Sequence, residues 1–235
     1  MNTVAVAMVC KTPLAGQSKT RLSPPLSAED CAALSACFIR DVATTIGSLG
    51  ANVVGYAVYT PAGSEPALRP LLPEGFRLLA QGGGDLGERL TQATAELLAA
   101  GYAGAVLVNS DGPTLPGSIL RAAVDAVRQG DNAVLSPALD GGYTLIGLSK
   151  PHPELFAGIP WSTGEVYRTT VERARGIALP VIDVPAWYDI DDVPSLRMLQ
   201  AELDGQPPPC AARGVTGGSA PATRRFLATL ASAAP

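Results

Sequence analysis

With 235 residues the chain suits one domain with a short tail and can bury a substantial core. Apolar residues make up 47% against 16% charged, which argues against a disordered chain, and the net charge of −4 gives no electrostatic case for binding a nucleic-acid backbone. No apolar run reaches the roughly 18 residues of a membrane span, and the N-terminus lacks the basic flank and cleavage site of a signal peptide, so a cytoplasmic protein is expected.

Apolar runs rich in Val, Ile and Leu alternate with helical patterns along the chain. Residues 3–10 read as a first strand buried on both faces, and 27–49 as a long helix with Ser27 as N-cap. Residues 52–59 form a second strand, 65–72 a short helix stopped by Pro73, and 76–80 a third strand. Asp85 opens the next helix: Glu88 follows at the capping-box spacing, and Gly101 suits the C-terminal stop after Ala100. A strand at 104–109, a helix at 113–129 and a strand at 133–137 come next. Residues 144–148 read as the second arm of a hairpin, and 164–174 and 193–203 as helices. This alternation predicts an α/β fold with a mostly parallel sheet covered by helices on both faces, carrying a small β-hairpin insertion. The main domain spans 1–203, residues 204–221 are a Pro/Gly-rich linker, and 222–235 hold a final helix that docks back on the body. No internal repeat is visible.

Four cysteines, Cys10, Cys31, Cys37 and Cys210, show no C-x-x-C spacing, and buried free thiols are the expectation. The single histidine, His152, stands between two prolines. That is a poor place for the oriented imidazole of a zinc site or a Ser-His-Asp triad.

In parallel sheets ligands lie beyond the carboxyl ends of the strands, so function is sought in a few loops. The stretch "GQSKTRL" after the first strand carries a Lys-Thr pair, yet the glycines of a Walker loop are absent, with Ser18 and Pro13 in their places. What remains is a loop with Lys11, Lys19 and Arg21, given flexibility by Gly16, that suits a polyphosphate or is simply a solvated basic surface.

Carboxylates cluster elsewhere. Asp111 follows the 104–109 strand, where it can ligate Mg²⁺ or cap the helix expected from Pro113. Asp140-Gly141-Gly142 is a hairpin signal, and its second glycine lets a ligand approach closely. In "WYDIDDVPSL" period-two alternation puts Asp189 and Asp191 on the same side, where they repel unless a cation lies between them, while Asp192 starts a helix. Cations on one rim and carboxylates on the other describe a site for a metal-bound polyphosphate.

These motifs, "KTRL", "GDLGERL", "SDGP", "DGGYTLIGL", Trp161 and "DIDDVPSL", together resemble the DUF2064 family of GT-A-like nucleotide-diphospho-sugar transferases. They are similar also to the 2-phospholactate and molybdenum-cofactor guanylyltransferases. The resemblance runs from Val4 to about Leu203. It implies that Lys19 and Arg21 hold phosphates and that Asp111 binds Mg²⁺ (or Mn²⁺), with Asp191 as second carboxylate and Asp189 beside it. It also implies that Asp140, Gly141 and Gly142 line the acceptor side, that Trp161 is among the substrate- or nucleotide-binding residues, and that Gln81 reads a base edge. Lys11 and Gly16 belong to the nucleotide-binding loop. Gly112 departs from the Cys or Ser common in the family, and a local loosening is expected there.

Two reactions suit this set. A nucleotidyltransferase joins a nucleotide from a nucleoside triphosphate to a small phosphorylated acceptor and releases pyrophosphate; it needs no histidine base, because the acceptor phosphate is already ionised. A glycosyltransferase uses a nucleotide-sugar, but its usual Asp-x-Asp is reduced here to Asn109-Ser110-Asp111. The basic first loop favours the former. A non-catalytic nucleotide-binding module is the third reading, and homodimerisation is left open.

Overall fold

The computed structural model describes residues 2–233. The last two positions of the expected tail, 234–235, and Met1 lie outside the described residues. Seven strands form one sheet in the order β3-β2-β1-β4-β6-β5-β7. They are β1 (Val4–Lys11), β2 (Val53–Thr60), β3 (Arg77–Ala80), β4 (Gly104–Asn109), β5 (Ala133–Pro137), β6 (Tyr143–Leu148) and β7 (Val181–Asp183). β6 is antiparallel to both β4 and β5, so the expected hairpin lies within the central sheet, and the other pairings are parallel.

The alternating faces of β1 explain the layering. Val4, Val6, Met8 and Cys10 join a core with helices α1 (Ala28–Gly47) and α4 (Gly117–Val127). Ala5 and Ala7 point the other way, against α3 (Leu86–Ala99) and α5 (Val166–Gly176). Because β1 pairs with β2 on one side and β4 on the other, the connections after β1 and β4 diverge between these two strands. That divergence opens a crevice at their carboxyl ends.

Local signals set many boundaries. Ser27 caps α1 by accepting from Asp30 N, and both arms of the Asp85–Glu88 capping box are formed at α3. The helix expected at 65–72 is shorter, α2 (Glu65–Leu68) followed by a 3-10 turn, Arg69–Leu71. The helix expected from Pro113 starts four residues later, at Gly117. Thr114 is fully buried; its hydroxyl accepts from Trp187 Nε1 at 3.3 Å and its carbonyl from Gly218 N at 2.7 Å. This segment is therefore spent on tertiary bonds and not on a helical turn. β7 is an addition to the expected elements: three residues are too short to show a period.

The final helix, α7 (Pro221–Ala233), packs on α1, and its first amides are held by a buried carboxylate. Asp41 accepts from Ala222 N at 3.0 Å and Thr223 N at 2.8 Å while itself only 2% exposed. A carboxylate at a helix N-terminus satisfies orphan amides and meets the positive end of the helix dipole. Replacing it by alanine leaves those amides buried and unpaired. Asp41→Ala should therefore lower unfolding free energy by about 1–3 kcal/mol and speed proteolysis in the preceding linker. Urea denaturation and limited proteolysis measure both; an unchanged cleavage rate would mean that α7 is held by its apolar face alone.

Candidate functional site

A cleft of about 460 Å³ opens where the connections after β1 and β4 diverge. The first loop (Lys11, Gln17–Arg21), Ser35 of α1, Ser110 and Asp111 after β4, Asp140 of the hairpin turn, the 162–164 loop and Asp191 line it. Three cations, Lys11, Lys19 and Arg21, thus share one crevice with the carboxylates Asp111, Asp140 and Asp191.

Lys19 is the centre of this arrangement. Its side chain is 7% exposed, and its ammonium donates to Ile190 O at 2.5 Å and Asp191 Oδ1 at 3.0 Å and lies 2.9 Å from Asp111 Oδ1. Burial alone would depress the lysine pKa, but the charges of Asp111 and then Asp191 outweigh it and hold the pKa above its ordinary value. The backbone at Lys19 is left-handed, φ 50°, an uncommon conformation for a residue with a Cβ. It aims the side chain inward while Leu22, fully buried, anchors the 3-10 turn Thr20–Leu22. Lys11 at the end of β1 and Arg21 on the turn are exposed and make no ion pair among the described residues. Gly16 sits at φ 72° in the turn and lines neither the cleft nor the cavity beside it.

The acidic side is assembled by one backbone bond. After β7 the chain continues beside β5, with Ser136 Oγ donating to Pro185 O and Trp187 N to Pro137 O. Ile190 N then donates to Asp111 O at 2.9 Å, which brings 189–191 against the end of β4. Ser195 Oγ accepts from Asp191 N, and Asp192 caps α6 (Val193–Leu203) through Ser195 N. Those bonds hold the Asp192 carboxyl below its usual pKa. Asp111 caps no helix; α4 begins after Pro116. Gly112 is closely packed and not loosened: an added Cβ would lie 3.0 Å from Tyr188 O.

Asp189 and Asp191 face different spaces. Asp191 lines the charged cleft, whereas Asp189 lines an adjoining cavity of about 270 Å³ and accepts from Asn109 Nδ2 at 3.2 Å. Asp189 thus lies apart from Asp111 and Asp191. Among the described residues no three His, Cys, Asp or Glu groups converge to hold a metal. Asp111 and Asp191 do converge, each with Oδ1 on the same ammonium. Two carboxylates are enough for a magnesium or manganese ion that completes its shell with water and phosphate oxygens, so this pair fits such an ion.

The other expected residues divide as follows. Trp161 and Gly142 line the adjoining cavity, where Trp161 meets Tyr143 edge to face at 6.4 Å. Gly141, at φ 87°, is needed for a close backbone approach: a Cβ there would lie 2.2 Å from Gly164 O, and that partner is the protein and not a ligand. Gln81 lines neither space; its amide nitrogen donates to Cys10 O and Val58 O and ties β1 to β2. His152 pairs with Asp131 at 2.8 Å and lies outside both spaces. All four cysteines are free; burial and then Asp111 push the Cys10 thiol up to about 12, so it stays protonated. Sequence reasoning missed Ser35, Ser110, Ser162 and Thr163, which line the cleft. The run Ser162-Thr163-Gly164 after Trp161 was the available signal.

Burial, with the charges of Asp191, Asp140 and Asp111, raises the Asp189 carboxyl to about 7. An acid whose folded pKa is raised contributes stability that is complete below its unfolded pKa and is lost as pH climbs through the folded value. In metal-free buffer, Asp189→Asn should therefore gain in Tm over the parent protein between about pH 4 and 7, with a constant difference above about pH 8. Parallel melting curves across that range would show that Asp189 ionises at an ordinary value.

The family described as "Uncharacterized protein conserved in bacteria (DUF2064)" matches residues 50–163. No protein of curated function matches the sequence. A provisionally assigned nucleotide-diphospho-sugar transferase of Desulfovibrio desulfuricans G20 is similar over 99% of this chain and 98% of its own, with 30% identity and a TM-score of 0.82. A cytidylyltransferase of Leptospira borgpetersenii shares the fold at 12% identity and TM-score 0.55, over 99% of this chain and 95% of its own. The CMP:2-keto-3-deoxy-manno-octonic acid synthetase in complex with CTP does so at 9% identity and TM-score 0.56, over 85% and 98%. No helix among the described residues is long and apolar enough to cross a membrane. With its strand order and its match along nearly the whole Desulfovibrio protein, the chain belongs to the DUF2064 family and has the fold of the nucleotide-diphospho-sugar transferases.

Proposed function

We propose that this transferase is a divalent-metal-dependent nucleotidyltransferase that joins a nucleotide from a nucleoside triphosphate to a small phosphorylated acceptor. One observation carries the reading: a buried ammonium held between two converging carboxylates, with two further cations, Lys11 and Arg21, open on the same cleft. Such a set can receive a polyphosphate on the cationic side while the carboxylates face a metal. The relatives support nucleotide-linked transfer as a class, since their descriptions include a cytidylyltransferase and a synthetase complexed with CTP.

In the proposed reaction an acceptor phosphate oxygen attacks the α-phosphorus in line. A new O–P bond forms, the bond from the α-phosphorus to the bridging oxygen breaks, and pyrophosphate leaves with the electron pair. Lys19 and Arg21 bind the leaving oxygens as their charge grows, and Lys11 adds positive potential at the end of β1. Asp111 and Asp191 would hold a divalent ion, which would supply further neutralisation of phosphate charge. No proton must be taken from an acceptor phosphate, in keeping with His152 lying outside the cleft.

Glycosyl transfer from a nucleotide-sugar is the second reading, and the description of the Desulfovibrio relative favours it. It would use the same cleft but release a nucleoside diphosphate. A thermal-shift panel of nucleoside triphosphates, diphosphates and nucleotide-sugars, each with and without Mg²⁺ or Mn²⁺, separates the readings. A ligand at ~100 times its Kd stabilises by about 2.7 kcal/mol. Preference for a triphosphate, with pyrophosphate released on turnover, is expected; preference for a nucleotide-sugar would replace the first reading by the second.

Asp111→Asn should lower metal-dependent kcat by about two orders of magnitude or more while the far-ultraviolet spectrum is retained. Arg21→Ala should raise the KM for the triphosphate and lower kcat, because its contacts strengthen on the leaving group. If Arg21→Ala changes neither constant, the first loop is a solvated surface.

A further inference from the structure

The cavity of about 270 Å³ beside the charged cleft has walls of a different kind. Val9, Leu86, Leu90, Leu107, Tyr143 and Trp161 face it. Its polar residues are few. Asn109 and Asp189 are bonded to each other, Thr144 is buried with its hydroxyl 3.5 Å from Ser136 O, and Asp140, Ser162 and Thr163 also line the charged cleft. Those last three residues mark a junction between the spaces.

We infer that the acceptor carries an apolar, ring-sized body that seats against Trp161 and Tyr143, with its phosphate at Ser162 and Thr163 of the junction. This rests on the nucleotidyltransferase reading, which places a phosphorylated acceptor next to the charged cleft. The chemistry of the walls selects the occupant. A sugar brings a hydroxyl on nearly every carbon, and each one buried against Leu, Val or aromatic carbon loses its hydrogen bonds to water without replacement. A nucleobase needs several partners along its edge, but Asn109 gives one amide hydrogen to Asp189, and Asn109 Oδ1 and Tyr143 OH, though unpartnered, are buried away from the surface a ligand would meet. An aromatic or branched aliphatic group gains instead from leaving water, and a phenyl ring also suits the edge-to-face pair of Trp161 and Tyr143 at 79°. The single polar end is then the phosphate, which lies toward the cations.

The test is calorimetric binding of phenyl phosphate, glucose 1-phosphate, adenosine and uridine to the full chain. Each titration is made with and without Mg²⁺ and a non-hydrolysable triphosphate analogue. Phenyl phosphate should bind at least about tenfold more tightly than glucose 1-phosphate. That advantage should vanish in Trp161→Ala and shrink in Leu86→Gln, a change at a side chain 40% exposed that leaves the core alone. Equal or tighter binding of glucose 1-phosphate overturns the inference, as does an advantage for phenyl phosphate that survives both substitutions. Displacement of phenyl phosphate by a nucleoside also overturns it and gives the cavity to the base. If no triphosphate analogue binds yet the phenyl preference and its loss on substitution hold, the apolar ligand class stands and the nucleotidyltransferase reading fails.

Discussion

A buried ammonium has to be paired, and in this molecule the pairing of Lys19 with Asp111 and Asp191 organises the site. Three segments distant in sequence contribute to it: the loop after β1, the end of β4 and the turn before α6. Each charge depends on the others. The left-handed backbone at Lys19 persists because the surroundings over-determine it, with Leu22 buried below and three oxygens around the nitrogen. The two carboxylates in turn tolerate each other because a cation lies between them.

Sheet topology puts this triad at an open crevice instead of in a core. β1 is flanked by β2 and β4, and the connections from the neighbouring carboxyl ends lead away from each other along the sheet, to β2 on one side and toward β5 on the other. The extended stretch after β7 follows β5 and then crosses to Asp111 through Ile190 N, so the acidic turn closes one side of the crevice. The same stretch divides the region in two: Asp191 faces the charged cleft and Asp189 the apolar cavity. One compact set of loops therefore offers two adjoining environments, one suited to phosphate and the other to hydrocarbon.

The C-terminal segment supports this arrangement from behind. Gly218 N bonds to Thr114 O, just after Asp111, and Arg224 donates to Leu203 O at the end of α6. Gly217 is packed so closely that a Cβ would lie 1.8 Å from Glu202 Oε1. Tyr188, next to Asp189, donates to Glu202. The tail is thus joined to the strand end and to the acidic turn that carry the candidate metal carboxylates.

Much of this was legible in the sequence where the cause is local. The strand cores followed from continuous Val, Ile and Leu runs, the capping box at Asp85 and Glu88 from spacing alone, and the β5–β6 hairpin from Asp140-Gly141. The residues that line the cleft, Lys11, Lys19, Arg21, Asp111, Asp140 and Asp191, were legible because the carboxyl-end rule points to their loops. Other features were decided by partners far along the chain, which no local pattern encodes. Thr114 leaves the helical path because Trp187 and Gly218 claim its polar groups, and Gln81 is drawn to the carbonyls of Cys10 and Val58. Asp189 and Asp191 share a side only if their segment is a regular strand, yet bonds to Asp111 and Ser195 bend it toward α6 and turn the two carboxylates into separate spaces. Composition and periodicity determined which elements form and which loops hold charge; tertiary hydrogen bonds alone decided which charges meet, because a side chain's direction at a loop is set by its distant partners.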